Sequence, residues 1–205
     1  MSTSPTRATT WAVVLAAGAS RRMGSPKQLL SWEGTPLVCR AVASAQAVVA
    51  DRVLVVTGCC AQEVRDAVAS TGVRSVHNSQ WIEGVASSLR VALSALPEDC
   101  DAVLFCSCDQ PGVGAAQLQA LLEARSGDKV VAAGYADTVG IPACFPRSRF
   151  EALSALRGEL GAKALLSGER ELVEVAIPQA RFDLDEPADI PLVAAAIGQD
   201  MTNEE

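Results

Sequence analysis

The sequence predicts an α/β protein in which a mostly parallel sheet is covered by helices on both faces. Apolar, β-like runs alternate with helical patterns along the chain, and these runs are nearly continuous, as is typical of strands buried on both faces. Hydrophobic residues make up 49% of the 205 residues and aromatic residues only 4%. Val, Leu and Ala must therefore fill a core between closely packed layers.

The same patterns predict the individual elements. Strands are expected over residues 11–17, 52–57, 73–77, 102–107, 129–134, 138–145 and 172–177. Helices are expected over residues 36–49, 61–70, 84–95, 115–124, 147–155, 162–166 and 187–196. These elements fit one domain, residues 11–197, between a flexible leader at 1–10 and a polar tail at 198–205. In such sheets ligands bind beyond the carboxyl ends of the strands.

Charge and composition exclude several classes of partner. The formal net charge is −7, and no basic stripe is present, so we expect no nucleic-acid partner. No apolar run reaches the roughly 18–20 residues that span a bilayer, and residues 1–10 lack the apolar core of a secretion signal. The seven cysteines have no zinc-finger spacing. We therefore expect a cytoplasmic protein with reduced thiols and no membrane contact.

A glycine-rich loop, residues 18–27, follows the first predicted strand. Its small residues would let backbone N–H groups approach an anion, and Arg22 and Lys27 would add positive charge. Neither Gly-x-Gly-x-x-Gly nor Gly-Lys-Ser/Thr occurs here, so neither of the two common phosphate-binding signatures applies. The alternative is an ordinary turn between a strand and a helix, with solvated arginines.

Two acidic sites follow predicted strands. Asp109 lies directly after the strand at 102–107, where a carboxylate can bind Mg²⁺, but Asp-x-Pro is also a common turn. Asp185 precedes a predicted helix and is suited to its N-cap, with Pro187 and Asp189 in the first turn. Capping and metal binding by Asp185 are compatible.

The glycine-rich loop carries a resemblance to a known family. Its residues read Leu15-Ala16-Ala17-Gly18-x-Ser20-x-Arg22-Met23-Gly24-x-x-Lys27, which resembles the signature of the MobA-like nucleotidyltransferases. The most similar branch is the one that cytidylylates molybdenum cofactor. The resemblance implies a three-layer α/β/α sandwich with a Rossmann-like sheet of the nucleotidyltransferase type. It also implies that Arg22 and Lys27 act in catalysis, and that the triphosphate is bound by Ala16, Ala17, Gly18, Ser20, Arg22, Gly24 and Lys27.

Further segments extend the resemblance over about residues 12–193. Asp109-Gln110-Pro111 matches the segment whose Asp binds metal in the family, which implies a catalytic Asp109. Asp185 matches a second, metal-proximal Asp, although Glu186 replaces the family's Thr. Residues 78–89 resemble a segment beside the nucleoside and imply base or ribose contacts by Ser87 and Ser88. The acceptor side is implied for Gly140, Pro142, Gly161 and Lys163, although a solvated Lys163 is an equal alternative.

The implied reaction is transfer of CMP from CTP to the phosphate of molybdopterin or molybdenum cofactor, with Mg²⁺ as cofactor and pyrophosphate as product. Ala16-Ala17-Gly18 resembles the cytidylyl branch, whereas the guanylyl branch usually reads Ala-Gly-Gly. A molybdoenzyme client is a further conceivable partner. The alternatives are another small-molecule nucleotidyltransferase, using a sugar phosphate or GTP, and a non-catalytic carrier of the cofactor.

Overall fold

A computed structural model describes residues 9–202, with side chains up to residue 198. The strands are β1 (Thr10–Ala16), β2 (Ser31–Trp32), β3 (Thr35–Pro36), β4 (Val53–Thr57), β5 (Arg74–His77), β6 (Ala102–Ser107), β7 (Val130–Tyr135), β8 (Thr138–Pro146) and β9 (Leu172–Ala176). The α-helices are α1 (Leu37–Val49), α2 (Ala61–Val68), α3 (Val85–Ala95), α4 (Ala115–Glu123), α5 (Phe150–Ala155), α6 (Lys163–Leu166) and α7 (Asp189–Thr202).

Seven strands form one sheet in the order β5-β4-β1-β6-β8-β7-β9. All neighbours pair in parallel except at β8, which runs antiparallel to both β6 and β7. Strand β1 lies inside the sheet between β4 and β6, with Val14 opposite Val55 on one side and Cys106 on the other. The carboxyl ends of β1, β4 and β6 therefore lie side by side at one edge, where a ligand would bind.

The two faces of the sheet carry separate apolar clusters. Along β1, Ala12 and Val14 face the cluster that includes residues of α1, α2 and α4, whereas Trp11 and Val13 face the cluster that includes residues of α3, α5 and α6. This alternation along β1 is the period-2 pattern of a strand with both faces buried. The structure thus confirms the predicted three-layer α/β/α sandwich with a mostly parallel sheet.

The structure adds a small hairpin and moves the last helix. Strands β2 and β3 pair antiparallel around Glu33 and Gly34, both with positive φ, and they were too short for periodicity to predict. Helix α7 continues to Thr202, into the segment predicted as a polar tail. Residues 1–8 of the predicted leader lie outside the described residues, and Thr10 already belongs to β1. Within residues 9–202, no helix has the length and apolarity needed to cross a membrane.

Candidate active site

The glycine-rich loop is held by hydrogen bonds from its own residues and from Gln28. Ser20 and Gly24 both have positive φ, 52° and 74° respectively. The Ser20 Oγ accepts a hydrogen bond from the Lys27 N–H at 3.0 Å, which closes the loop on itself. The Gln28 amide, 1% exposed, donates to the carbonyl oxygens of Gly18 at 2.6 Å and Ala16 at 3.3 Å. Sequence reasoning missed Gln28, which anchors the loop from beneath.

Four charged side chains meet at the end of this loop. The Lys27 ammonium contacts the Asp109 carboxylate and lies 3.0 Å from Asp185 Oδ1. Asp185 Oδ2 lies 2.8 Å from a guanidinium nitrogen of Arg22. The Leu184 N–H donates to the Asp109 carbonyl at 2.9 Å, which joins the two acidic segments. The fold thus brings together four residues that the sequence predicted separately.

Burial differs across this cluster and sets its electrostatics. The side chains of Lys27 and Asp109 are only 17% and 14% exposed, whereas that of Arg22 is 69% exposed. Burial alone would lower the pKa of Lys27, but the charges of Asp109 and Asp185 outweigh it and raise this pKa. Burial alone would raise the pKa of the Asp185 carboxyl group. Hydrogen bonds with Lys27 and Arg22, together with their positive charges, outweigh this effect and lower the pKa below its ordinary value. Lys27 is therefore a permanent cation.

Asp183 lies near the same acidic groups. Although this residue is exposed overall, its pKa is raised to about 6, because the surrounding protein desolvates the carboxyl group and Asp109 and Asp185 repel its charge. A hydrogen bond with Gln110 and the charge of Lys27 act in the opposite direction and lower the same pKa.

Asp109 is oriented by a neighbour that sequence reasoning also missed. The Ser107 hydroxyl, at the end of β6, donates to Asp109 Oδ1, while Asp109 Oδ2 faces Lys27. Ser107 is the last residue of β6 and Asp109 lies two residues beyond it, so their contact depends on the course of the chain after the strand. Ser107 thus leaves the other carboxylate oxygen directed at a cation.

The two carboxylates have the chemistry of a divalent-cation site. Asp109 and Asp185 both contact one ammonium, so their oxygens can face a shared cation. Within residues 9–198, no group of three or more His, Cys, Asp or Glu side chains could hold a metal ion. Mg²⁺ commonly takes one or two carboxylates and completes its shell with water and substrate phosphates. The donor set therefore fits such an ion.

Asp185 does not cap the last helix, contrary to one reading of the sequence. Helix α7 begins at Asp189, whose Oδ2 accepts hydrogen bonds from the N–H groups of Asp185 and Glu186, each at 2.8 Å. The Asp189 carboxylate turns back on the preceding segment. The Asp185 carboxylate is consequently left to face Lys27 and Arg22.

A cavity of about 410 Å³ lies between the glycine-rich loop and the start of α3. Six of the predicted site residues line it: Ala17, Gly18, Ser20, Lys27, Ser88 and Asp109. Ala16 is buried in β1, and Gly24 and Arg22 lie on the exposed side of the loop. The nucleotide-binding prediction thus divides into residues that face the cavity and residues that shape the loop.

Ser87 is buried and bonded to the backbone, whereas the sequence predicted that it contacts the base or ribose. It is 1% exposed, and its hydroxyl lies 2.8 Å from the Gly84 carbonyl oxygen and 3.0 Å from that of Gln80. The buried Asn78 amide donates to both Ser87 at 2.7 Å and Ser88 at 3.0 Å. Ser87 therefore stabilises the turn before α3, while Ser88 alone of the pair reaches the cavity.

The opposite wall of the cavity is built from two loops in close backbone contact. A Cβ added to Gly84 would lie 2.5 Å from the carbonyl carbon and oxygen of Gly158, so only glycine fits at this approach. The Ala86 N–H donates to the Gly158 carbonyl at 3.1 Å. Trp81, Ile82 and Glu159 from these loops line the cavity.

The residues predicted for the acceptor side take different places. Gly140 and Pro142 lie in β8 on either side of Ile141, which lines the cavity. A Cβ on Gly161 would lie 3.2 Å from Val85 Cγ1, so Gly161 packs against the start of α3. Lys163 begins α6 with an exposed side chain. None of these four residues lines the cavity itself.

Comparisons with known proteins agree with this geometry. Residues 12–175 match the MobA-like NTP transferase domain. Rv0371c from Mycobacterium tuberculosis H37Rv is 30% identical, with a TM-score of 0.77 over 91% of this chain and 98% of that one. A second structure of that protein, a complex with manganese, is also 30% identical and gives a TM-score of 0.76 over 90% and 97% of the two chains. A nucleotidyl transferase from Methanothermobacter, Mth528, is 26% identical, with a TM-score of 0.77 over 94% and 99%.

Curated relatives match over a shorter stretch. The bifunctional protein GlmU of Acidovorax sp. strain JS42 is 36% identical over 126 residues, which cover 58% of this chain and 26% of GlmU. The chain thus spans about a quarter of the length of the curated relatives it matches. The matched family domain covers most of the chain, and it includes the glycine-rich loop and Asp109. The chain therefore belongs to the MobA-like NTP transferase family.

Proposed function

We propose that this protein transfers CMP from CTP to the phosphate of molybdopterin or molybdenum cofactor and releases pyrophosphate. The observation that carries the proposal is the cluster of Lys27, Asp109 and Asp185 at the mouth of the glycine-rich loop. The cluster supplies a buried cation and two carboxylates beside a cavity lined by small residues. A carrier that only holds a finished cofactor has no need for such a cluster.

In this reaction an oxygen of the acceptor phosphate attacks the α-phosphorus of CTP. A new phosphorus–oxygen bond forms, and the bond from the α-phosphorus to the oxygen that bridges to the β-phosphorus breaks. Pyrophosphate leaves with the bonding electron pair. Such a displacement depends on alignment and charge neutralisation more than on covalent help from the protein. The residues of the cavity wall supply both.

Lys27 and the glycine-rich loop hold the triphosphate. The Lys27 ammonium is fixed by its carboxylate partners at the end of the loop, and Arg22 adds a second charge at its exposed edge. Gly18 and Ser20 line the cavity and allow close approach of phosphate oxygens. Gln28 and Ser107 position these groups through the hydrogen bonds described above.

Mg²⁺ is the proposed cofactor, with Asp109 and Asp185 as its protein ligands. Manganese in the structure of the M. tuberculosis relative supports the use of a divalent ion. When bound, the ion would neutralise negative charge on the phosphate oxygens. Asp109 is the more buried carboxylate and follows β6 directly, so we propose it as the principal ligand.

Preference for CTP rests on the start of the loop. Ala16 and Ala17 occupy positions where the guanylyl branch usually has Ala and Gly, and Ala17 lines the cavity. A Cβ on Gly58 would lie 2.4 Å from the Ala17 carbonyl oxygen, so the neighbouring strand end packs tightly against this position. A methyl group held here narrows the space available to a base.

The test is pyrophosphate release with molybdenum cofactor and each of the four nucleoside triphosphates in turn. We expect turnover with CTP to exceed turnover with GTP at equal concentrations. Faster use of GTP would reverse the base assignment and leave the reaction class intact. Turnover only when a sugar 1-phosphate replaces molybdenum cofactor would contradict the proposed acceptor. Tight binding of the cofactor without release of pyrophosphate would favour the carrier.

A further inference from the structure

Two segments form the cavity wall opposite the glycine-rich loop. The first, which we name the Trp81 turn, comprises residues 81–84 and leads into α3. The second, the Gly158 loop, comprises residues 156–161 and lies between α5 and α6. Trp81 and Ile82 from the turn and Glu159 from the loop line the cavity. The two segments thus face the glycine-rich loop, which is proposed to hold the triphosphate, across the cavity.

One ion pair connects both segments to the body of α3. Arg90 and Glu83 contact each other at 2.5 Å. The Arg90 guanidinium also donates to the Leu156 carbonyl of the Gly158 loop at 2.8 Å. On the other side, Glu83 Oε1 accepts a hydrogen bond from the Gly158 N–H at 3.4 Å. Arg90, on α3, thus contacts the Trp81 turn through Glu83 and the Gly158 loop through the Leu156 carbonyl.

The two segments do not depend equally on this pair. The Trp81 turn has independent support, because the Ser87 hydroxyl contacts the carbonyls of Gln80 and Gly84. Three hydrogen bonds join the Gly158 loop to this region, in addition to the backbone contact between Gly84 and Gly158: the Ala86–Gly158 bond, the Leu156 carbonyl contact and the Gly158 N–H contact. Two of these three hydrogen bonds end on Arg90 or Glu83. Loss of the pair should therefore loosen the loop while the turn stays in place.

We propose that Arg90 is a positioning residue that sets the acceptor side of the cavity through Glu83 and the Leu156 carbonyl. This inference rests on the proposed function and on the acceptor-side role that the family resemblance implies for Gly161, a residue of the Gly158 loop. Arg90 does not touch the glycine-rich loop or Asp109 in the structure; its partners are Glu83 and Leu156. Its effect should therefore fall on the acceptor and not on the nucleotide.

The chain offers a matched control. Arg40 and Glu33 form another ion pair with the same spacing of seven residues, at 2.8 Å, between α1 and the β2–β3 hairpin. Neither residue lines the cavity. Arg40→Gln removes one cation and one ion pair, as Arg90→Gln does, without touching the Gly158 loop.

The experiment measures steady-state CMP transfer for wild type, Arg90→Gln, Arg90→Lys, Glu83→Gln and Arg40→Gln. For Arg90→Gln we expect KM for molybdenum cofactor to rise about tenfold, with KM for CTP within about twofold of wild type. Arg90→Lys keeps the charge but loses the planar guanidinium that donates to two partners at once. Its KM for molybdenum cofactor should therefore lie between those of wild type and Arg90→Gln. Arg40→Gln should match wild type. An equal rise in both KM values, or no rise in either, would overturn the positioning role.

Hydrogen–deuterium exchange of peptides that cover residues 156–161 provides a readout that needs no turnover. We expect faster exchange in Arg90→Gln and Glu83→Gln than in wild type, with peptides over residues 17–27 unchanged. Unchanged exchange at 156–161 would overturn the tether. If wild type itself transfers no CMP, the proposed function fails, and the exchange data still decide whether the pair holds the loop.

Discussion

Different interactions stabilise the two walls of the cavity. The glycine-rich loop and the strand ends beside it carry a dense set of charges, in which Lys27 is shared by Asp109 and Asp185. The opposite wall depends on backbone contact between Gly84 and Gly158, with one ion pair behind it. Charge neutralisation demands particular side chains, whereas the shape of a wall demands close packing.

This difference has a consequence for substitution. Under the proposed function, removing a charge from the first wall changes how the site acts on phosphate, because a preorganised charge acts on the reacting group directly. Altering the second wall changes how a loop is held, so the effect should appear in binding and stability. The following substitutions compare the two walls, and the largest effects are expected at the charged wall.

Asp109→Asn should have the largest effect. The substitution keeps the shape of the side chain and removes its charge, so the fold should persist while turnover falls about 100-fold or more. Asp185→Asn should lose less, because Asp185 is the more exposed carboxylate and an amide oxygen can still coordinate weakly. Turnover as a function of Mg²⁺ concentration would measure both. Asp51→Asn, at an exposed residue after α1, is the control. Near-normal turnover of Asp109→Asn at limiting Mg²⁺ would show that Asp109 has no role beyond the turn and would contradict its metal-binding role.

Lys27→Ala should have the next largest effect on activity, and Arg22→Ala a smaller one. The Lys27 side chain is 17% exposed and that of Arg22 is 69% exposed, so solvent screens Arg22 more strongly. We expect kcat/KM for CTP to fall about 100-fold for Lys27→Ala and about fivefold for Arg22→Ala. Kinetics at several CTP concentrations, with melting temperatures measured in parallel, separate the effect from unfolding. Equal losses in the two variants would contradict the burial argument.

Gly84→Ala tests the contact-held wall. A Cβ there would lie 2.5 Å from the Gly158 backbone, and φ of +114° is a conformation that L side chains rarely adopt. We expect the free energy of unfolding to fall by about 1–3 kcal/mol. Urea denaturation measures this effect. Gly168→Ala is the control, since nothing lies within 4 Å of a Cβ at that glycine. Wild-type stability of Gly84→Ala would show that the two loops separate easily.

The smallest effect concerns the ion pair between Arg149 and Glu169. A hydrogen bond from Arg149 lowers the pKa of Glu169 below its ordinary value, so the stabilisation is present above the unfolded pKa and is lost as pH falls through the folded one. Glu169→Gln should lower the free energy of unfolding by about 1 kcal/mol at pH 7, with solvent screening keeping it small. The difference should vanish in acid. Glu151→Gln, at an exposed residue of α5, is the control for urea denaturation at several pH values. A difference that grows as pH falls would contradict the assigned sign.

Much of the fold could be predicted because its signals are local. Strand β6 has the bounds expected from its apolar run, and α3 and α4 differ from expectation by one residue at an end. The hairpin β2–β3 could not be predicted, since two-residue strands carry no periodicity. The end of α7 was also missed, because residues 199–202, polar except for Met201, do not signal a helix by themselves.

The amino-acid sequence by itself determined the layered α/β architecture, the glycine-rich loop and the place of Asp109 after β6. Each of these depends on residues close together in the chain, where periodicity and contiguous motifs can be read directly. The tertiary structure alone decided that Asp185 faces Lys27, 158 residues away, instead of capping α7. It also decided that Ser87 is a buried support and that Arg90 holds the Leu156 carbonyl. These roles arise from side chains that meet only when distant segments pack, and no local pattern records such a meeting.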